Sequence, residues 1–311
     1  MTIKPPRNIA ASVRQKLLNV AKVRAADFQQ IGTQYSLERL LYRISISEHR
    51  DRLILKGGLL FLAWQADTAR PTRDADFLSF GSSDTDEMKK AFQSILSLPA
   101  DDGVQFDLTA IEATRIRPED EYDGVRVTTN ATISGARFPI QVDIGFGDAI
   151  TPGTQEIHFP TLLDQPAPRV LSYPPETVIA EKLEAIISLG DINGRLKDFY
   201  DLGVISRTFE INGGILAKAI AATFARRKTD LPEAEPPSLM PAFANLDTTK
   251  RNWNAFIRRN TLAVKFASFE ALQEELLTFL QPPIAAARTA EALNARWLPE
   301  KGWVSTSAIP S

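Results

Sequence analysis

"RPTRDADFLSF", residues 70–80, alternates apolar and polar residues like a strand, yet it carries two aspartates one residue apart, Asp74 and Asp76. Aspartate is a poor strand former, and like charges on one strand face repel each other. Alternate side chains of a strand share a face. Asp74, Asp76 and Leu78 therefore point one way, and Ala75 and Phe77 point the other, into a core. A second segment, "IQVDIGF" (140–146), places Ile140, Val142, Ile144 and Phe146 on one face and Gln141, Asp143 and Gly145 on the opposite one. If the two strands are neighbours, three carboxylates share one face of a sheet. Close carboxylates raise each other's pKa values unless a cation offsets them. A hard divalent ion with oxygen ligands is the economical partner, Mg²⁺ above all, with Mn²⁺ as a substitute. The bland alternative is that D-x-D occurs by chance on many exposed strands and loops.

Working outward from this pair, residues 8 to about 50 read as helical, with apolar residues at helical spacing and Ser36 as an N-cap for "SLERLLYRISI". From about 74 to 148, "DADFLSF", "VQFDLTAIEATRI", "GVRVTTNATI" and "FPIQVDIGF" alternate with period two between Gly, Pro and Asp turns. "DTDEMKKAFQSILSL" is an interleaved helix, so the region is predicted to be a mixed sheet with helices. "TPGTQEIHFPTLLDQPAPRVLSYPPE" reads as a Pro-rich connector and domain boundary. Beyond Pro174-Pro175 the chain turns helical, interrupted at "EAEPPSLMP" and ending in a loose tail, "STSAIPS". The expected fold class is α+β, with a sheet domain and its leading helices over 1–165 and a mostly helical domain over 166–311.

Three further features point to chemistry. Gly57-Gly58, in "LILKGGLLFLAW", suit a close backbone approach to phosphate at the start of a following helix, or equally a simple turn. In the helix "ETVIAEKLEAIISLG", Val178, Ile179, Leu183, Ile186, Ile187 and Leu189 form an apolar arc, with Glu181, Glu184 and Ser188 on the solvated side. Lys182 falls inside the arc. Such a lysine needs a carboxylate or an anionic ligand, unless its long stem lets the ammonium snorkel to water. "GRLKDFYDL" then gathers Arg195, Lys197, Asp198 and Asp201, with Asp198 the better placed to orient a lysine or arginine. A charged helix start explains Asp198 as well.

Composition narrows the field. The chain has 311 residues, 44% hydrophobic and 24% charged, with a formal net charge of -2, so any nucleic-acid site must be a local basic patch. The absence of cysteine excludes disulfides and thiolate sites, and His49 and His158 alone leave little for a histidine-rich centre. No window suits a signal peptide or a membrane span, and the expected location is cytoplasmic. "FARRK" (224–228) and "TKRNWNAFIRRN" (249–260) supply Arg226, Arg227, Lys250, Arg251, Arg258 and Arg259 as nucleic-acid candidates. Trp253 and Phe256 fit a helix core better than a base-stacking platform.

Taken in order, "ERLLYRISIS", "LKGG", "RPTRDADFL", "IQVDIGFGD", "AEKLEAI" and "GRLKDFYDL" resemble the AbiEii/AbiGii nucleotidyltransferase toxin family. That family includes the MenT toxins and belongs to the polymerase-β-like nucleotidyltransferase superfamily. The resemblance runs from about residue 37 to 205 and implies a nucleotidyltransferase sheet domain and a helical domain, with the active site in the cleft between them. It implies that Gly57 and Gly58 hold nucleotide phosphates, and that Arg70, Thr72, Asp74 and Asp76 form the R-x-[ST]-x-D-x-D motif whose aspartates bind metal. It makes Lys182 the triphosphate lysine, with Arg195 nearby on the nucleotide. Asp198 becomes the catalytic aspartate of the last motif and Asp143 the third carboxylate, a metal ligand or base. The gap from Gly58 to Asp74 is longer than in many polymerase-β-like enzymes. The implied activity is Mg²⁺-dependent transfer of NMP from an NTP to an acceptor, the tRNA 3′ end first, in a type IV toxin–antitoxin system with a neighbouring antitoxin. The alternatives are transfer to a protein or small-molecule hydroxyl, and a nucleotide-binding module without turnover.

Overall fold

Two helices open the chain, α1 (Ile9–Val23) and α2 (Phe28–Ser45). Each is started by a capping side chain that satisfies first-turn N–H groups: Asn8 accepts from Ala11, and Asp27 from Gln29 and Gln30. Ser36, the expected cap, lies inside α2 instead. It is fully buried, and its hydroxyl donates to the Gly32 carbonyl at 2.8 Å. A serine satisfied four residues back can sit mid-helix, so the helix began earlier than that signal implied.

The computed structural model describes residues 8–65, 72–116, 124–190, 194–260 and 262–308. It divides into two units, Met1–Gly147 with Gln155–Ser172, and Asp148–Thr154 with Tyr173–Ser311. After α2 the first unit contains β1 (Leu53–Lys56), α3 (Gly58–Gln65), β2 (Ala75–Ser79), α4 (Thr85–Ser97), β3 (Gln105–Phe106), β4 (Glu112–Ile116), β5 (Gly124–Ile133), β6 (Ala136–Phe146), β7 (Gln155–His158) and β8 (Arg169–Ser172). They form one eight-stranded sheet, ordered β3-β5-β6-β2-β1-β8-β7, with β4 also on β5. β2 runs parallel to β6, β8 runs parallel to β1, and the remaining pairs are antiparallel. The fold is therefore α+β on a mixed sheet.

Val125, Val127, Phe138, Ile140, Val142 and Ile144 are buried on the face of β5 and β6 that meets the core, and Phe77 is buried on β2. Leu78, expected on the same face as the aspartates, is buried too, with α3 packing on β1 and β2. Two other expectations change. "VQFDLTAIEATRI" is not one strand, since the Asp107 carboxylate accepts from the N–H groups of Thr109 and Ala110 and folds Leu108–Ala110 into a 3-10 turn between β3 and β4. The Pro-rich stretch is no bare connector: it supplies β7 and β8 at the sheet's edge.

The second unit holds α5 (Pro175–Leu189), α6 (Leu196–Thr208), β9 (Ile211–Asn212), α7 (Gly213–Arg227), α8 (Pro241–Asn245), α9 (Asp247–Arg259), α10 (Phe269–Thr289), β10 (Ala295–Leu298) and β11 (Gly302–Ser305). The last two strands and β9 make a small antiparallel sheet, β11-β10-β9, which the helical reading did not foresee. The expected loose tail begins within β11, and residues 309–311 lie outside the described residues. Trp297 and Trp303 lock this sheet to the helices, donating their indole N–H groups to the Ser206 and Phe279 carbonyls at 2.6 and 3.1 Å. No described helix is long and apolar enough to cross a membrane.

Candidate active site

Strand register sets the geometry of the acidic pair. Lys56 on β1 pairs with Asp76 on β2, Asp76 with Asp143 on β6, Asp143 with Arg126 on β5, and Arg126 with Thr114 on β4. One rung of side chains thus crosses five strands, and its two adjacent carboxylates are flanked by two cations. Arg126 grips Asp143 with both ends of its fork, Nε to Oδ1 and Nη2 to Oδ2, each at 2.8 Å. Such bidentate pairs are the strong form of this interaction. The hydrogen bond with Asp143 raises the arginine's pKa, and the charges of Asp143, Asp74 and Asp76 add to it. Gln141 donates to Asp143 as well, at 3.3 Å. Asp74 sits one residue before β2, and its Oδ1 accepts from the Thr72 hydroxyl at 2.8 Å.

The glycine pair abuts the same motif. Gly57 has φ +69°, and a Cβ there would lie 2.0 Å from the Asp76 carboxylate. At Gly58, the first residue of α3, a Cβ would lie 2.7 Å from the Thr72 hydroxyl oxygen. Only hydrogen fits at either place. The two side chains of the acidic motif occupy the space that a larger residue would need, which brings the start of α3 against Asp76. Helix starts of this kind suit phosphate.

In the second unit Lys182 is met by two carboxylates. Its ammonium donates to Asp198 Oδ1 and Asp201 Oδ2, both at 2.8 Å, while Arg195 Nε lies 2.8 Å from Asp198 Oδ2. Asp198 and Asp201 are 1% and 0% exposed. Burial pushes the lysine's pKa down, but the charges of Asp201 and Asp198 outweigh it and hold the group above its ordinary value. A second cluster on α5 and α7 went unforeseen. Glu184, expected on the solvated side, is buried and accepts from Arg227 at 2.7 Å and Thr229 at 2.6 Å. Glu181 and Asp148 also face Arg227, at 3.3 and 3.5 Å. Arg227 is thus drawn inward among three carboxylates rather than standing on a basic surface. Arg226, Lys250, Arg251, Arg258 and Arg259 are exposed. Trp253 is buried against Phe269, and Phe256 packs on Tyr200, as core residues do.

The structure therefore gathers Asp74, Asp76, Thr72, Gly57 and Gly58 in one place and adds Asp143 along the rung. It joins Lys182, Asp198 and Arg195 in another. Arg70 lies outside the described residues. Among the described residues no three His, Asp or Glu side chains are grouped to hold a metal by themselves. Asp143 is gripped by Arg126. The pair Asp74 and Asp76 is enough to suit Mg²⁺, which is commonly bound by one or two carboxylates and completed by substrate phosphates and water. Arg126 was missed because a charged residue on the outer face of "GVRVTTNATI" looks like any solvated strand position.

A model of the family described as "Nucleotidyl transferase AbiEii toxin, Type IV TA system" matches residues 39–275, well over half of the chain. No curated protein matches the sequence. Two solved structures from Helicobacter pylori are similar at low identity. A candidate nucleotidyltransferase is 13% identical with a TM-score of 0.49, covering 85% of this chain and 99% of its own. The protein JHP933 is 14% identical with a TM-score of 0.49, covering 84% and 94%.

Proposed function

Because the chain belongs to the AbiEii nucleotidyltransferase toxin family of type IV toxin–antitoxin systems, we propose that it transfers NMP from a Mg²⁺-bound NTP to the 3′ end of tRNA and releases pyrophosphate. The observation that carries this reading is the packing of the Asp76 carboxylate against Gly57, which places a hard-oxygen ligand beside a helix start suited to phosphate.

Asp74 and Asp76 hold the ion, which neutralises charge developing on the α-phosphate. Gly57 and Gly58 present backbone N–H groups to the departing phosphates. Lys182 serves the triphosphate, and Asp198 and Asp201 fix its ammonium in place and keep it charged. Arg195 acts with it through Asp198. The acceptor oxygen forms a bond to the α-phosphorus as the bond to pyrophosphate breaks in line. Asp143, oriented by Arg126, accepts the proton of the attacking hydroxyl. The exposed Arg226, Lys250, Arg251, Arg258 and Arg259 grip RNA backbone. The partner that restrains the toxin is an antitoxin encoded beside it.

The test is incubation with Mg²⁺, each α-³²P-labelled NTP in turn and total bacterial tRNA, read on a denaturing gel. Label appears on tRNA and is lost with Asp74→Ala, while circular dichroism shows an unchanged fold. Residual transfer above about a tenth of wild type removes Asp74 from the reaction. Label on protein alone replaces tRNA as the acceptor.

A further inference from the structure

A cavity of about 830 Å³ opens in the first unit beside the acidic rung. Its lining includes Gln30, Thr33, Thr72, Thr128, Asn130 and Gln141. Two of these belong to the acidic centre itself: the Thr72 hydroxyl donates to Asp74, and the Gln141 amide donates to Asp143. Thr128 pairs with Gln141, and Asn130 with Pro139, on the next rungs of β5 and β6. Two residues along a strand span about 6.8 Å, so the cavity begins one rung from Asp143. We propose that this cavity seats the terminal nucleoside of the RNA acceptor, an inference that rests on the transferase reading above.

In-line chemistry assigns the direction. Strand order runs β5-β6-β2-β1, with Gly57-Gly58 just past the end of β1, Asp76 on β2 and Asp74 one residue before it. With the leaving pyrophosphate at the glycines, the α-phosphate lies over Asp74 and Asp76. The attacking oxygen must then come from the opposite flank, over β6 and β5. That flank carries Asp143 and the β5–β6 wall of the cavity, with Thr72 at the cavity's border toward the glycines. Its chemistry fits a nucleoside better than a phosphate chain. Amides and hydroxyls of Gln30, Thr33, Thr128, Asn130 and Gln141 offer donors and acceptors to base edges and sugar hydroxyls. Asp27 and Glu112 on the same wall repel phosphate, while the exposed Arg73 is available to the phosphate preceding the last nucleoside. The volume falls within the roughly 300–1,000 Å³ of pockets that enclose small ligands.

Thr128→Trp, which fills the cavity, separates acceptor from nucleotide. Affinity for a non-transferable α,β-methylene NTP with Mg²⁺, affinity for labelled total tRNA, and the KM for tRNA in transfer are measured on wild type and variant. The expected result is analogue affinity within about threefold of wild type, with tRNA affinity and KM worsened more than about tenfold. Equal losses for analogue and tRNA make the cavity a pocket for the incoming base and overturn the proposal. So does a variant that handles tRNA like wild type. A wild type that neither binds tRNA nor labels it, or labels only protein, overturns the RNA occupant. Wild type that binds tRNA in a Thr128→Trp-sensitive way but transfers nothing leaves the pocket assigned and removes the transferase reading instead. Should Thr128→Trp fail to fold by circular dichroism, Asn130→Ala takes its place, with tRNA affinity expected to fall about threefold or more and no change overturning the proposal.

Discussion

Two charged clusters, one on the sheet and one between helices, use the same ingredients in opposite ways. On the sheet, Asp76 and Asp143 are neighbours flanked by Lys56 and Arg126, and the side chains stay open, with Asp143 21% and Arg126 41% exposed. Between α5 and α6, Lys182 stands between Asp198 and Asp201, which are sealed from water. In the first cluster like charges stand on adjacent strands of one rung and water reaches them. In the second, opposite charges interleave and the two carboxylates are shut from water, while the lysine stays partly exposed. A cluster of the second kind can hold a group in position but has little room to react. The first is open to water and so to an arriving cation and its phosphates, and that is the physical ground on which we propose that the chemistry takes place on the sheet.

Removing one partner from each cluster sharpens the contrast. Lys182→Met takes the shared ammonium away from two buried carboxylates, Asp198 keeping Arg195, and is expected to cost roughly 3–5 kcal/mol of stability, read as a fall in urea midpoint. The ammonium's pKa is raised above 10.5 in the fold. Its contribution is therefore complete at every pH below that value and is lost only as pH rises through the raised pKa. The gap between wild type and variant should stay constant from pH 6 to pH 9; a gap that shrinks across this window breaks the account of a permanently charged lysine. Gly57→Ala comes next, because its methyl collides with Asp76 and the residue sits at positive φ. A loss of about 1–3 kcal/mol is expected, together with at least about tenfold weaker Mg²⁺–NTP binding by calorimetry. Wild-type affinity in a folded Gly57→Ala protein would detach the glycines from the acidic motif. Arg126→Ala is expected to be the mildest for the fold, below about 1 kcal/mol at a half-exposed pair. Its effect should appear in transfer, as an approximately tenfold lower kcat/KM that Arg126→Lys restores only in part. Full restoration by lysine would show that charge alone, without the fork, sets the position of Asp143.

Much of the sheet cluster was legible because period-two alternation fixes which side chains share a face, and that rule placed Asp143 opposite the core side of "IQVDIGF" before any register was known. Register itself was out of reach. The pairing of Asp76 with Asp143 joins segments far apart in sequence, and Arg126 acquires meaning only from that pairing. On the helices, projection flagged Lys182 because a cation within an apolar arc demands a partner, and Asp198 was close enough in sequence to be named for it. The same projection left Glu184 on the water side, since a helical wheel does not show that α7 arrives with Arg227 to cover it. Ser36 misled for a local reason: a hydroxyl that would cap a helix start also satisfies itself on the carbonyl one turn back. The strands β9–β11 are two to four residues long, too short for alternation to stand out from the helices around them.

The hairpin of β5 and β6 also sets an order of events in folding. Ser134 and Gly135 turn the chain with φ of +46° and +81°, the left-handed pair that matches strand twist. Arg126 and Asp143 are only 17 residues apart, so their contact closes with the hairpin on a timescale of about microseconds. β2 joins β6 in parallel and from far along the chain, a slower step that must wait for the crossover between them. The arginine is therefore expected to be on Asp143 before Asp76 arrives. The two carboxylates would then meet with one of them already paired to arginine, so that like charge does not obstruct assembly of the site.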